Sequence, residues 1–95
     1  MTHEVELHGC IPLGQLRVTP GIISTVEYHE VFSALQRHAR GDWGDVPAED
    51  KQSNNEALEL GERLFSAYRT TEGTRFWVIT ECDRSVTTVL FPEEY

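Results

Sequence analysis

The chain has 95 residues, enough for one domain spanning residues 1–95, with 39% hydrophobic and 25% charged residues, a composition that folds rather than stays disordered. Sixteen Asp and Glu against eight Lys and Arg give a formal charge of -8. This disfavours direct nucleic-acid binding, which needs a basic surface to meet phosphates, and equally an anionic membrane surface. No apolar run approaches the ~20 residues of a membrane span. Residues 1–6 carry two acids and no basic residue, unlike the start of a secretory signal, so the expected compartment is the cytoplasm. In that compartment Cys10 and Cys82 are expected as free, mostly buried thiols.

Residues 11–18 read as a strand with Pro12 near its start, stopped by the turn chemistry of Thr19-Pro20-Gly21. A helix follows. Ser24 or Thr25 can cap it, and Glu27, three residues after Ser24, fits a capping box. Tyr28, Val31, Phe32, Leu35 and Ala39 recur at spacings of three and four and share one face. Arg37, His38 and Arg40 sit where cations meet the negative end of the helix dipole, and Gly41 is a natural stop.

The sequence Gly41-Asp42-Trp43-Gly44-Asp45 predicts a tight turn. A second helix should run from about residue 47 to 60, with Pro47 at its first position, Glu49 and Asp50 in its first turn and Gly61 at its end. Its apolar face is narrow (Ala57 and Leu58, with Asn54 and Gly61 alongside), as suits a surface helix touching the core by one edge. Three antiparallel strands should follow: residues 63–69, 74–80 and 85–91, joined by turns at 70–73 and 81–84. Alternation puts Phe76 and Val78 on one face of the middle strand, Trp77 and Ile79 on the other. The fold class is therefore α+β: an antiparallel sheet, made of the C-terminal three-stranded meander plus the N-terminal strand, packed on two helices. The predicted core comprises Leu16, Val18, Phe32, Leu35, Leu64, Phe76, Val78, Val86 and Leu90. Both sheet faces are partly apolar, so either a partner covers the second one or the N-terminal strand curls the sheet over itself.

Few residues point to chemistry. His3, His8, Cys10 and Cys82 contain metal-ligand types but no compact pair, so no metal site and no cofactor are expected. His29 and His38 point to opposite sides of their helix, and sequence gives neither a nucleophile partner. Ser66 and Ser85 lie in strands, not in a nucleophile elbow. Glu81 and Asp83 beside Arg84 read as turn acids with a surface salt bridge. The glycine-rich turn lacks the Lys-Ser/Thr pair of a phosphate loop. Trp43 either folds onto the core with its N–H bonded to a carbonyl or stands exposed as an interface anchor.

What remains is charge. Residues 42–62 hold seven acids and one base, Lys51. A solvated acidic surface aids solubility. The functional alternative is a surface of Asp42, Asp45, Glu49, Asp50, Glu56 and Glu59, with Trp43 as anchor, that occupies the basic nucleic-acid-binding site of a partner protein. The expected class is thus a non-enzymatic binding protein with no catalytic residues. A small enzyme gathering His38, Glu81, Asp83 and Arg84 around one cleft is the rival, an antitoxin-like regulator a third reading, and a homodimer a further candidate assembly.

Several motifs together carry a resemblance. Pro12-Leu13-Gly14-Gln15-Leu16, the Gly41-Asp42-Trp43-Gly44-Asp45 turn, Ser66-Ala67-Tyr68, Ile79-Thr80-Glu81 with Asp83-Arg84-Ser85, and Pro92-Glu93-Glu94-Tyr95 look like those of a family of short bacterial proteins carried on plasmids, prophages and other mobile elements. The resemblance covers about residues 11–95. It implies no particular activity, cofactor or catalytic residue. It implies only an accessory role in a mobile element, a setting that favours host-defence evasion of the anti-CRISPR or anti-restriction kind more than composition alone does.

Overall fold

The structure, a computed structural model, describes residues 11–95. Strand β1 (Gln15–Val18) leads into a short helix α1 (Pro20–Thr25), then α2 (Tyr28–Ala39) and α3 (Ala48–Leu60). Strands β2 (Leu64–Arg69), β3 (Arg75–Thr80) and β4 (Val86–Leu90) follow, and a 3-10 turn (Pro92–Glu94) closes the chain. The sheet order is β1-β4-β3-β2. The fold is α+β, as the patterning predicts.

The C-terminal meander matches expectation. Leu64 pairs with Thr80 and Tyr68 with Phe76, and Val78 pairs with Val89. The N-terminal strand differs: it is four residues long and parallel to β4, with Gln15 opposite Val86 and Val18 opposite Val89. Gly14 sets this geometry. Its φ is 66°, and a Cβ there would lie 2.3 Å from the Ser85 carbonyl oxygen. Only glycine lets the chain turn so close to Ser85, whose carbonyl then accepts from the Gln15 N–H at 2.8 Å.

Among the described residues three α-helices replace the expected two. Pro20 does not merely end β1; it opens α1, and the Thr19 hydroxyl caps that helix by accepting from the Ile22 N–H at 3.3 Å. Ser24 lies inside α1 and donates to the Gly21 carbonyl, so the expected capping box with Glu27 does not form. Glu27 is the N-cap residue of α2 and makes no side-chain cap bond. Helix α3 ends as expected, on Gly61 in the left-handed region.

The buried face of α2 is Val31, Ala34, Leu35 and His38. It is rotated from the expected stripe: Ile22 of α1 and Val26, which caps the end of α1, pack with Val31, Leu35, Phe76, Val78 and Val89. Phe32 and Leu16, predicted as core, are exposed, and Val18 and Val86 are partly buried. Leu35, Leu64, Phe76, Val78 and Leu90 are buried as predicted. A second cluster gathers Trp43, Val46, Ala57, Leu64 and Ala67 where α3 meets β2. Only Asn54 and Ala57 of α3 are buried, so this helix touches the core by one edge.

Candidate protein-binding groove

The two edges of the sheet are treated differently. A strand edge carries a row of backbone donors and acceptors that other chains can pair with. The β2 edge is covered. Asn54 of α3 imitates a neighbouring strand at Phe65: its amide nitrogen donates to the Phe65 carbonyl at 2.6 Å and its oxygen accepts from the Phe65 N–H at 3.0 Å. Next along β2, the Ala67 N–H donates to the Trp43 carbonyl at 3.1 Å and the Ala67 carbonyl accepts from the Asp45 N–H at 2.6 Å. The β1 edge has no strand on its outer side among the described residues.

Beside that edge lies an apolar groove of about 440 Å3. Leu16 and Val18 form one wall, Ile23 and Val26 the end, and Tyr28, Val31, Phe32 and Leu35 of α2 the other wall. Period-two alternation puts Leu16 and Val18 on the same face of β1, and spacings of three and four put the four α2 residues on one stripe. Val26, Val31 and Leu35 are buried and form the floor. The rim is open: Leu16 is 51% exposed, Ile23 68%, Tyr28 81% and Phe32 51%. The Tyr28 and Phe32 rings stack nearly parallel, 16° apart in plane with centroids 6.3 Å apart, so the two aromatics support each other on the rim. Aromatic side chains can bury about 150–250 Å2 each. Four large side chains more than half exposed therefore reach the few hundred Å2 at which an apolar patch signals an interaction site. Arg17, on the opposite face of β1, is exposed and forms no ion pair among the described residues.

The sequence-predicted acidic surface is assembled only in part. Asp42 pairs with Arg37 at 2.7 Å, which holds its carboxyl below the usual carboxylate range, and Asp45 pairs with Arg69 at 2.9 Å. These two acids are largely neutralised locally. Glu49, Asp50, Glu56 and Glu59 are exposed on α3. Glu49, Glu56 and Glu59, with Gln52 between them, fall at helical offsets of 0, 3, 7 and 10 and form one stripe. Trp43 is not an exposed anchor. It is 3% exposed, its indole N–H donates to the Asn55 side-chain oxygen at 3.1 Å, and its ring meets the His38 ring edge-on.

His38 is fully buried rather than a cation at the helix end. Burial, and secondarily the charge of Arg84, lowers its pKa to about 4, so it is neutral. Its Nδ1 lies 2.5 Å from the Ser66 hydroxyl and its Nε2 2.8 Å from that of Thr80; Thr80 is 2.7 Å from the Thr87 hydroxyl, which donates to the Leu13 carbonyl at 2.7 Å. One set of protons satisfies the chain. Thr87 gives its proton to Leu13, Thr80 gives its own to Thr87, and His38 donates from Nε2 to Thr80 while Nδ1 accepts from Ser66. The network pins α2 to β2, β3, β4 and the segment before β1. It is sealed from solvent, so the His38–Ser66 pair has no approach for a substrate.

The β3–β4 turn holds a different arrangement from the expected salt bridge. Asp83 accepts from the backbone and hydroxyl of Ser85. Arg84, with φ 61°, donates to the carbonyls of Ala57 and Glu62 at the end of α3 and to those of Glu81 and Cys82. It clamps the negative end of that helix. Cys82 is exposed, not buried as expected. Among the described residues no cluster of three or more His, Cys, Asp or Glu could hold a metal, and no helix is long and apolar enough to cross a membrane. His3, His8 and Cys10 lie outside the described residues.

The residues that sequence reasoning missed are Leu16, Ile23, Tyr28 and Phe32. Their apolarity and spacing were visible, but the same pattern describes a core stripe. Compared with protein-family models, curated proteins and solved structures, the chain matches none.

Proposed function

We propose that the chain is a non-enzymatic protein-binding module that holds a partner protein in the groove between β1, α1 and α2. One observation carries this reading: the groove leaves Tyr28, Ile23, Leu16 and Phe32 more than half exposed on one contiguous apolar surface. Exposing these side chains to water is unfavourable by roughly 25 cal/mol per Å2, a penalty that a bound partner relieves.

A second reading is favoured by the α3 stripe. Glu49, Glu56 and Glu59, with Asp50 beside them, oppose only Lys51 along the helix, and such a row suits a basic nucleic-acid-binding site on a protein. The partner is then part of a restriction or CRISPR system and the chain an accessory of a mobile element acting in the cytoplasm. The sequence resemblance supports this context. Asp42 and Asp45 contribute less than their charge suggests, because Arg37 and Arg69 already pair with them.

Affinity capture from expressing cells with three tagged baits separates the readings. The baits are the wild type, the groove variant Ile23→Glu/Tyr28→Glu, and the stripe variant Glu49→Lys/Glu56→Lys/Glu59→Lys, each checked for folding by circular dichroism. A protein captured by the wild type and the stripe variant but lost with the groove variant supports the groove. The reverse supports the acidic stripe. Equal capture by all three overturns both.

A further inference from the structure

Because the groove lies directly beside a strand edge that no described residue pairs with, we infer that its occupant is an extended segment of the partner that adds to β1 as a fifth strand, with two apolar side chains in the groove and an acidic residue between them. This rests on the groove being the working surface, and it specifies how that surface is read.

Backbone geometry defines the pairing. The N–H groups of Gln15 and Thr19 donate to Ser85 and Val89 at 2.8 and 3.1 Å, so odd-numbered residues of β1 face β4. By strand alternation the N–H and C=O groups of Leu16 and Val18 point outward, away from the sheet. Their side chains line the groove. An antiparallel segment therefore exchanges both bonds with Leu16 and with Val18. The two segment residues opposite them place their own side chains on the groove face, against Ile23, Tyr28 and Phe32. The residue between these two lies opposite Arg17 in the close, non-hydrogen-bonded pair, with its side chain on the Arg17 face.

Charge selects the occupant. A two-fold pairing of β1 with a second copy that satisfies both Leu16 and Val18 sets Arg17 opposite the Arg17 of that copy, and like charges directly opposite destabilise a strand pair. Both copies also carry a formal charge of -8. An acidic residue on a partner segment meets Arg17 without either repulsion. The recognition pattern is thus apolar, acidic, apolar, read by strand addition with side-chain pockets for alternate residues.

The test uses a fluorescein-labelled nine-residue peptide with a valine–glutamate–valine centre in threonine-rich flanks, followed by fluorescence anisotropy on the full chain. Replacing the glutamate by lysine should weaken binding about threefold to fivefold. N-methylating the two valine amides should weaken it at least tenfold, since each loses a backbone bond. In Arg17→Glu the preference should invert, with the lysine peptide binding more tightly than the glutamate peptide. Arg17 is exposed, so this variant folds, and a merely structural role for Arg17 would not exchange the ranking. Binding that Ile23→Glu abolishes but that ignores both N-methylation and the charge swap overturns strand addition and leaves the groove reading intact. Absence of peptide binding at millimolar concentration, or a wild-type dimer in sedimentation that Ile23→Glu dissociates, overturns the inference as well, the latter by making a second copy the occupant.

Discussion

Acidification from pH 7 to pH 5 should destabilise the fold chiefly through one residue, His38. In the unfolded chain a histidine titrates near 6.5, and in the fold burial lowers this one to about 4. Between these values the unfolded state binds a proton that the folded state refuses, so stability falls as pH falls. Linkage gives a loss of about 2 kcal/mol by pH 5, a sizeable part of the 5–15 kcal/mol typical of a domain. For a chain of this size the shift in Tm is roughly 10 °C. Asp42, Asp83 and Glu94 have lowered pKa values held by Arg37, by Ser85 and by the Phe91 N–H with Thr19 respectively. Their contributions are present above the ordinary carboxylate range and fade only as pH drops through and below it, so the window from 7 to 5 isolates the imidazole. Urea unfolding at pH 7, 6 and 5, followed by far-UV circular dichroism, measures the effect. In His38→Gln the stability at pH 7 should be lower, because the ring's two hydrogen bonds are lost or distorted, but its dependence on pH over this window should nearly vanish. A wild type equally stable at pH 7 and 5, or a pH dependence that survives in His38→Gln, refutes a buried neutral imidazole.

Three further outcomes can be measured by the same denaturation assay. Trp43→Ala should lose about 3–5 kcal/mol, the range for a buried aromatic, whereas an exposed anchor would lose almost nothing. Gly44→Ala should be among the most disruptive single changes, at about 3 kcal/mol or more, because the added Cβ would lie 2.1 Å from the Ala67 carbonyl oxygen at a φ of 75°. Arg84→Ala should cost about 1–3 kcal/mol by releasing the end of α3, and Arg84→Gly should be about 1 kcal/mol more stable than Arg84→Ala, since glycine adopts the φ of 61° without strain.

The C-terminal meander was legible because its determinants are local. Alternating β-branched and aromatic residues, with Gly73 in the first turn, define β2, β3 and β4 within one stretch of chain. Helix α3 was legible for the same reason, through Pro47 and Gly61, although Pro47 stands just before the helix as its N-cap residue and not at its first position. The orientation of α2 was not. Tyr28, Val31, Phe32 and Leu35 make one apolar stripe, but periodicity states which residues share a face and not what covers it. The competing stripe of Val31, Ala34, Leu35 and His38 has the same spacing and is the one buried, because His38 finds hydroxyl partners on β2 and β3, strands that lie far along the chain. The groove depends on β1 pairing parallel to β4 across some seventy residues, a contact that no local pattern encodes. The acidic helix was visible in composition, yet sequence could not reveal that Arg37 and Arg69 tie down two of its neighbouring acids.

Amide hydrogen exchange by NMR, with and without the valine–glutamate–valine peptide at saturation, tests most directly whether the β1 edge and its groove are the working surface. The account predicts slowed exchange at the amides of Leu16 and Val18, shifted resonances for Ile23, Tyr28 and Phe32, and no change along α3. Unaltered exchange at Leu16 and Val18, with perturbation confined to the α3 carboxylates or absent throughout, would contradict it.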